Sequence, residues 1–468
     1  MGRAQFTATV VGVAVLGAFV SYWKLGTDVL TEDEVTYARA GTAYLHGNTS
    51  PNPEHPPLAK LLIGVSRALF GSGPVGMRFL GATLGLLTAA VIFVWLSRNL
   101  GRVPALFGAG LWILSPHPVI GAVRGDRLAL LEPYVTFFAL VTIATAWEFH
   151  RTQQNRWLLL SGAAGGLALA SKFTALPALV IAAGVIAKEV RARPRRTRAL
   201  SVVAPVMSVA ILGALYLVTF RSHTLVTIRQ MLDQQSALRD SGRVSLIAGH
   251  RYLHPPWWAN LDTQTRALGI GLTILMTALS LAAFTRRQYR GLAGLLAAVV
   301  AADLIFMVVV VRIHLVHYYL LWQPELAALA AVGAASLLAV TDRPRRWAGV
   351  AAIATAAVLC APTIARAATL KPTGLEVVAH RVHDLCDADN TCAIDNPRGA
   401  SVLETYLKHR VAIAVGSVPP GALVVVFDGA LPTTTPGLQY LRATVRATGH
   451  LLFQYGRYQA WEVPTPPS

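Results

Sequence analysis

Charge is what this chain has little of. Only 14% of its 468 residues are Asp, Glu, Lys or Arg, against about a quarter in soluble domains. With 54% hydrophobic residues and a mean hydropathy of +0.51, that shortfall excludes an ordinary soluble globular protein. Cysteine is scarce too: three residues without a CxxC pair exclude a structural zinc module. Acids are fewer than bases, 23 against 41, which leaves a formal net charge of +18. Such an excess suits a nucleic-acid binder, but its distribution speaks against that. The bases gather in short segments (Arg98 and Arg102, Arg151 and Arg156, Lys188 to Arg198, Thr285 to Arg290, Asp342 to Arg346). These fall at every second loop between apolar runs, which is the positive-inside arrangement of a membrane protein.

What the chain does have is a succession of apolar runs, each long enough to cross a bilayer. Taking the basic loops as cytoplasmic predicts about eleven transmembrane helices. They lie near residues 5–23, 76–97, 103–120, 128–148, 157–171, 173–190, 199–220, 266–284, 291–312, 318–340 and 347–369. The first reads as a retained anchor, because many more runs follow it. Residues 1–370 are thus expected to form a polytopic α-helical domain of an inner or plasma membrane, with the C-terminus outside. Its outer segments include a long first loop, 24–75, and another at 221–265 that carries Trp257 and Trp258. The tail, 371–468, has a helix-like stretch at 374–385 and β-type runs at 422–429 and 450–463, separated by Pro and Gly. That pattern predicts a small extracytoplasmic α/β domain. Cys386 and Cys392 lie in it, on the side where disulfides form, so a short-loop bridge is expected. Cys360, inside the last run, reads as a buried thiol.

Polar residues at membrane depth need a reason of their own. Those here gather at the outer ends of the spans. They include Asp33 and Glu34 in TEDEVTYARA, His55 and Lys60 in NPEHPPLAKLL, and Arg78 in MRFLGATLG. Arg127 and Glu132 follow in RGDRLALLEP, Lys172 in ASKFTAL, and His317 and Tyr318 in HLVHYYLLWQPEL. Each has a plain reading: Arg78 and Lys172 as snorkelling cations, Pro56 and Pro57 as a rigid turn, the tyrosines as an interfacial belt. Their convergence on one face is what plain readings leave out. A basic cluster outside, against the charge rule, asks for an anionic partner such as a lipid phosphate.

The pairing of DEVTY (Asp33 to Tyr37) with EHPPLAKLLIG (Glu54 to Gly64), followed by MRFLGATLG, DRLALLEP and SKFTAL, resembles the protein O-mannosyltransferases and their bacterial relatives. These are membrane glycosyltransferases of the GT-C fold that use polyprenyl-phosphate sugars. The resemblance covers roughly residues 1–340 and implies a GT-C-type domain. It matches Asp33 to the family's catalytic acid, with Glu34 its neighbour. It implies donor-phosphate binding by His55, Lys60, Arg78, Arg127 and Lys172, and a substrate pocket that includes Tyr37, Glu54, Glu132, His317 and Tyr318. Glu132 stands where the family carries Asp in an LDP sequence. The expected reaction is transfer of a hexose, mannose first among them, from a polyprenyl-phosphate donor to an extracytoplasmic hydroxyl with inversion, Ser or Thr of a protein being one acceptor. A monophosphate leaving group asks for no metal or other cofactor. The rival readings are glycosylation of a lipid or envelope glycan by the same chemistry, and a flippase for a lipid-linked sugar. The partners expected are the donor lipid, a protein or glycan acceptor and membrane lipids, without nucleic acid.

Overall fold

The structure, a computed structural model, describes residues 2–28, 30–117, 122–191, 202–372, 374–386, 391–407, 410–414, 417–419, 421–429 and 436–463. Two compact units divide the chain. Residues 1–23, 37–70 and 76–369 form the larger, and 24–36, 71–75 and 370–468 the smaller.

The larger unit is helical. Its elements are α1 (Arg3–Tyr22), α2 (Glu32–Leu45, whose first turn belongs to the smaller unit), α3 (Leu58–Phe70), α4 (Pro74–Leu100) and α5 (Arg102–Leu114). Next come α6 (Glu132–Thr152), α7 (Asn155–Ser171), α8 (Leu176–Arg191), α9 (Val203–Phe220) and α10 (Thr224–Ser241). After a small antiparallel hairpin of β1 (Ser245–Ile247) and β2 (His250–Tyr252) follow α11 (Ala259–Leu268), α12 (Ile270–Ala282), α13 (Arg290–Phe306), α14 (Gln323–Leu338) and α15 (Arg343–Thr369).

This is a multi-pass membrane protein, but fewer helices stand as full spans than hydropathy suggests. Among the described residues, six are long and apolar enough to cross a membrane, or seven if α11 and α12, bent by 110° at their junction, count as one. A helix does sit at each of the eleven expected places. The difference lies in length: α5 and α14 run for only 13 and 16 residues, about 20–24 Å at 1.5 Å per residue. In α6, acidic Glu132 and Glu148 and several threonines dilute the apolar surface.

Between apolar helices in lipid, association rests on close packing more than on expulsion of water, so small residues decide where backbones meet. At the crossing of α2 and α3, a Cβ added to Gly41 would collide with the carbonyl of Lys60, and one added to Gly64 with that of Gly41. A Cβ at Gly85 of α4 would run into the carboxylate of Asp126, and one at Gly81 would come within 3.0 Å of the Leu128 carbonyl. The glycines of MRFLGATLG thus give the loop carrying Arg127 its bed. Around Trp112, Ile143, Phe149 and Leu296, a single apolar core joins α4, α5, α6, α8, α12, α13 and α14.

In the smaller unit, β3 (Thr391–Ile394), β4 (Val411–Ile413), β5 (Ala422–Asp428), β6 (His450–Tyr455) and β7 (Tyr458–Glu462) form a sheet in the order β4-β3-β5-β7-β6. The β3 strand pairs parallel with β4 and β5, while β7 pairs antiparallel with β5 and β6. Three helices accompany it: α16 (Leu375–Val382), α17 (Pro397–Leu407) and α18 (Pro436–Thr448). The single β-type run read at 450–463 is a hairpin, turned at Gly456 with φ +57°, a left-handed angle that favours glycine. Cys386 and Cys392 are joined by a disulfide, their Cα atoms 5.5 Å apart.

Candidate active site

The turn at NPEHPP is built around one buried amine. Lys60, in the first turn of α3 and 0% exposed, reaches back so that its Nζ donates to the carbonyls of Asn52 and His55, the latter at 2.7 Å. It also donates to Tyr44 Oη at 3.1 Å and, at 3.4 Å, to Asn52 Oδ1. Tyr44 Oη in turn donates to the carbonyls of Pro51 and Asn52. Asn52 takes the left-handed conformation, φ +50°, which asparagine tolerates better than most residues. Burial draws Lys60 down to about 7 against the pull of Glu54, while four oxygens around Nζ favour the ammonium, which carries three donors. The lysine expected to meet a phosphate is therefore engaged in holding the turn shut.

What the turn presents is His55. Burial, then Lys172, Lys60 and His317, hold it well below the usual imidazole range, so it is neutral at physiological pH and able both to donate and to accept. Its ring meets that of Tyr37 edge-on, with centroids 5.9 Å apart.

Facing this turn are residues from distant parts of the sequence. Glu132 opens α6, and Lys172 sits between α7 and a short 3-10 turn at Phe173–Ala175. Lys172 Nζ forms an ion pair with Glu132 Oε1, both side chains at most 5% exposed, and lies 4.8 Å from the centroid of the Tyr318 ring. His317 Nε2 approaches the same Glu132 oxygen at 3.4 Å. The other oxygen, Oε2, is buried with no hydrogen-bond donor among the described residues. Charges taken out of water survive only when paired, so the Glu132–Lys172 pair is an element the fold must close around.

Lys172 and Tyr318, together with His55 of the turn, border a cavity of about 390 Å³. Glu54, His55, Lys172 and Arg239 form polar parts of its wall, whereas Leu232, Phe306, Val310 and Ile313 are apolar parts. Gln235 of α10 donates to the Glu54 carbonyl at 3.0 Å and ties that helix over the turn. A cavity with a basic polar wall and an apolar wall suits an amphiphile with an anionic head.

The arginines do other work. Arg127, fully buried, donates to the carbonyls of Val20 (2.9 Å) and Trp23 (2.7 Å) at the end of α1, where a helix has carbonyls to spare. Arg124, absent from the residues singled out in sequence, closes α5 through the carbonyls of Trp112, Ile113 and Ser115 and grips Asp126 through two nitrogens. The doubled arginine of RGDR was the signal for it. Arg78 is 0% exposed within α4.

Asp33 and Glu34 lie in the smaller unit. Glu34 Oε2 accepts the Thr31 backbone N–H at 2.9 Å, and Thr31 Oγ1 accepts that of Glu34 at 3.3 Å. This reciprocal pair is a capping box, written in the sequence as T-x-x-E. Glu34 thereby starts α2, and half-buried Asp33 stands in its first turn, where the helix dipole favours a carboxylate.

Comparison with known proteins bears on the fold and on the segment that carries several of these residues. Residues 54–221 match the family model described as dolichyl-phosphate-mannose-protein mannosyltransferase. The polyprenol-phosphate-mannose–protein mannosyltransferase of Mycolicibacterium smegmatis is 31% identical over 154 residues, 31% of this chain and 29% of that one. Its counterpart in Mycobacterium tuberculosis is 32% identical over 145 residues, 30% and 26% of the two chains. The match thus spans less than a third of these relatives. The whole chain superposes on ArnT from Cupriavidus metallidurans, apo and bound to undecaprenyl phosphate, with a TM-score of 0.64 at 15% identity and complete coverage of both chains. AglB from Archaeoglobus fulgidus gives 0.58 at 11% identity, over 97% of this chain and 74% of that one. The chain therefore has a GT-C-type fold, and its segment 54–221, which carries His55, Glu132 and Lys172, is similar to the dolichyl-phosphate-mannose-protein mannosyltransferase family.

Proposed function

We propose that this protein transfers mannose from a polyprenyl-phosphate carrier to a Ser or Thr hydroxyl of an extracytoplasmic protein, with inversion. The observation that carries the reading is the cavity whose polar wall holds Lys172, His55 and Arg239 and whose apolar wall includes Leu232, Phe306, Val310 and Ile313. The place of His55 and Lys172 in a segment similar to the dolichyl-phosphate-mannose-protein mannosyltransferases adds support, as does the full-length likeness to a protein seen with undecaprenyl phosphate.

In this mechanism the acceptor oxygen attacks the anomeric carbon as Asp33 takes its proton. The bond from that carbon to the phosphate oxygen breaks, and the lipid monophosphate leaves with the electron pair. Lys172 and neutral His55 meet the charge that develops there, a contribution worth about 2.7–4 kcal/mol for a single well-placed donor. Oε2 of Glu132 accepts from a sugar hydroxyl. Lys60, Arg78 and Arg127 act as positioning residues that hold the turn and the loops in place, and Glu34 holds the turn of α2 that carries Asp33. All eleven apolar helices lie within the membrane, the short ones flanked by longer neighbours, with the cavity and the smaller unit on the extracytoplasmic side.

The test uses purified protein in liposomes, polyprenyl-phosphate mannose labelled in the sugar, and a cell-envelope protein extract. Wild type is expected to release polyprenyl phosphate and label protein, and Asp33→Asn to do neither. Label that appears in lipid or glycan instead replaces the acceptor. Label that only crosses the bilayer, unaltered by the substitution, overturns glycosyl transfer.

A further inference from the structure

We infer that the larger unit holds an anionic phospholipid at the ends of α4 and α6 remote from the cavity described above. This rests on the membrane-spanning reading but not on the reaction proposed. A second cavity, about 310 Å³, lies there, with Leu87, Val91, Val94, Phe137 and Val141 among its walls. Trp157 of α7 also lines it, and two guanidinium groups flank that indole. The Arg98 group stands 5.6 Å from the ring centroid and the Arg156 group 5.0 Å. Both arginines are exposed, and neither has an acidic partner among the described residues.

The carboxylate bordering the same cavity is already committed. Glu148, 2% exposed, accepts from Arg151 on Oε2 at 2.8 Å and from Asn99 on Oε1 at 3.1 Å. Two cations therefore share one aromatic platform without a counter-charge, beside an apolar hollow. An independent sign comes from the wall itself. The indole N–H of Trp95, a residue 2% exposed, has no acceptor among the described residues, and neither has that of Trp157. Buried donors of this kind are ordinarily met by an acceptor.

Depth selects the occupant. Glu148 follows Glu132 by 16 residues on α6, about 24 Å at 1.5 Å per residue. In a hydrocarbon core about 30 Å thick, that places Arg98 and Arg156 near the opposite headgroup layer. A phosphodiester there supplies the missing negative charge and its oxygens face the arginines, while an acyl chain fills the hollow. Free phosphate satisfies the cations and leaves the hollow empty. A zwitterionic lipid fills it but brings its own cation to the arginines.

Native mass spectrometry of the full-length protein in detergent tests this, with phosphatidylglycerol, phosphatidylcholine and undecaprenyl phosphate titrated in turn. One phosphatidylglycerol is expected to be retained, on the order of tenfold more tightly than phosphatidylcholine. It should be lost from the Arg98→Gln/Arg156→Gln variant, and also from Val94→Phe, which fills the hollow without touching a charge. Both arginines are exposed, so an unchanged melting temperature is expected and confirms folding. Equal retention of the two phospholipids, or retention by both variants, overturns the inference. Displacement by undecaprenyl phosphate also overturns it, reassigning the hollow to a polyprenyl lipid. Mannosyl transfer by the same preparations separates the two readings: an active protein without the lipid fails only this one, and an inactive protein holding it fails only the other.

Discussion

Two buried lysines belong to the candidate active site and the turn beside it, and they are held in different ways. Lys60 is surrounded by four oxygens: the carbonyls of Asn52 and His55, Asn52 Oδ1, and Tyr44 Oη from α2. Lys172 is set against a carboxylate and the face of a tyrosine, on the wall of a cavity. A cation held by carbonyls cannot change partners without opening the turn. One paired with a carboxylate can share its field with an arriving anion while that carboxylate turns to a sugar hydroxyl. Burial and charge are thus nearly alike at the two sites. The partner's identity separates a lysine that holds its own turn from one set on a cavity wall.

Four substitutions sharpen or break that contrast. The largest effect is expected from Lys172→Met, with kcat lowered about 10²–10³-fold in the liposome assay. It also leaves Glu132 buried without its ion-pair partner, at a cost in stability of about 3–5 kcal/mol. Lys172→Arg keeps the charge and should hold the fold while recovering only part of the rate. An equal loss of rate and stability in Lys60→Met would erase the distinction. That variant is instead expected to cost about 1–3 kcal/mol in unfolding free energy, through carbonyls left without a donor, and to change kcat less than Lys172→Met does. The smallest effect concerns pH. His55 is held below its ordinary range, so below about pH 6.5 the unfolded chain binds a proton that the folded one does not. Its contribution to stability is therefore full above that pH and falls as the pH drops below it. The melting temperature should accordingly decline less steeply between pH 6.5 and pH 5 in His55→Gln than in wild type.

The contrast between the lysines was not legible in the sequence. Lys60 and Lys172 both entered as phosphate ligands through motif resemblance, because spacing says nothing of which carbonyls a closed turn will aim at an amine. The pairing of Lys172 with Glu132, 40 residues away, depends on how α6 and α7 pack, and no local pattern encodes it. What hydropathy did mark was the place of eleven apolar helices, though not α3, which lies in the stretch read as an outer loop. Their lengths were overestimated where the chain bends between α11 and α12 or stops short in α5 and α14, since a hydropathy window cannot see a helix end. Glu34 was open to a plainer reading all along: T-x-x-E before an apolar stretch is a cap before it is a pair of acids. The glycines of MRFLGATLG carried a meaning visible only once the Arg124 to Leu128 loop was seen lying on them.

The closed turn also has a chemical consequence. Lys24, Lys188 and Lys371 are exposed to solvent or to the membrane surroundings, whereas Lys60 is sealed. An amine-reactive acylating reagent will modify the first group quickly and reach Lys60 only in the moments when the turn comes apart. The rate of Lys60 acylation, read against those three lysines as internal standards, is thus a clock for the opening of this loop, and it runs without any substrate.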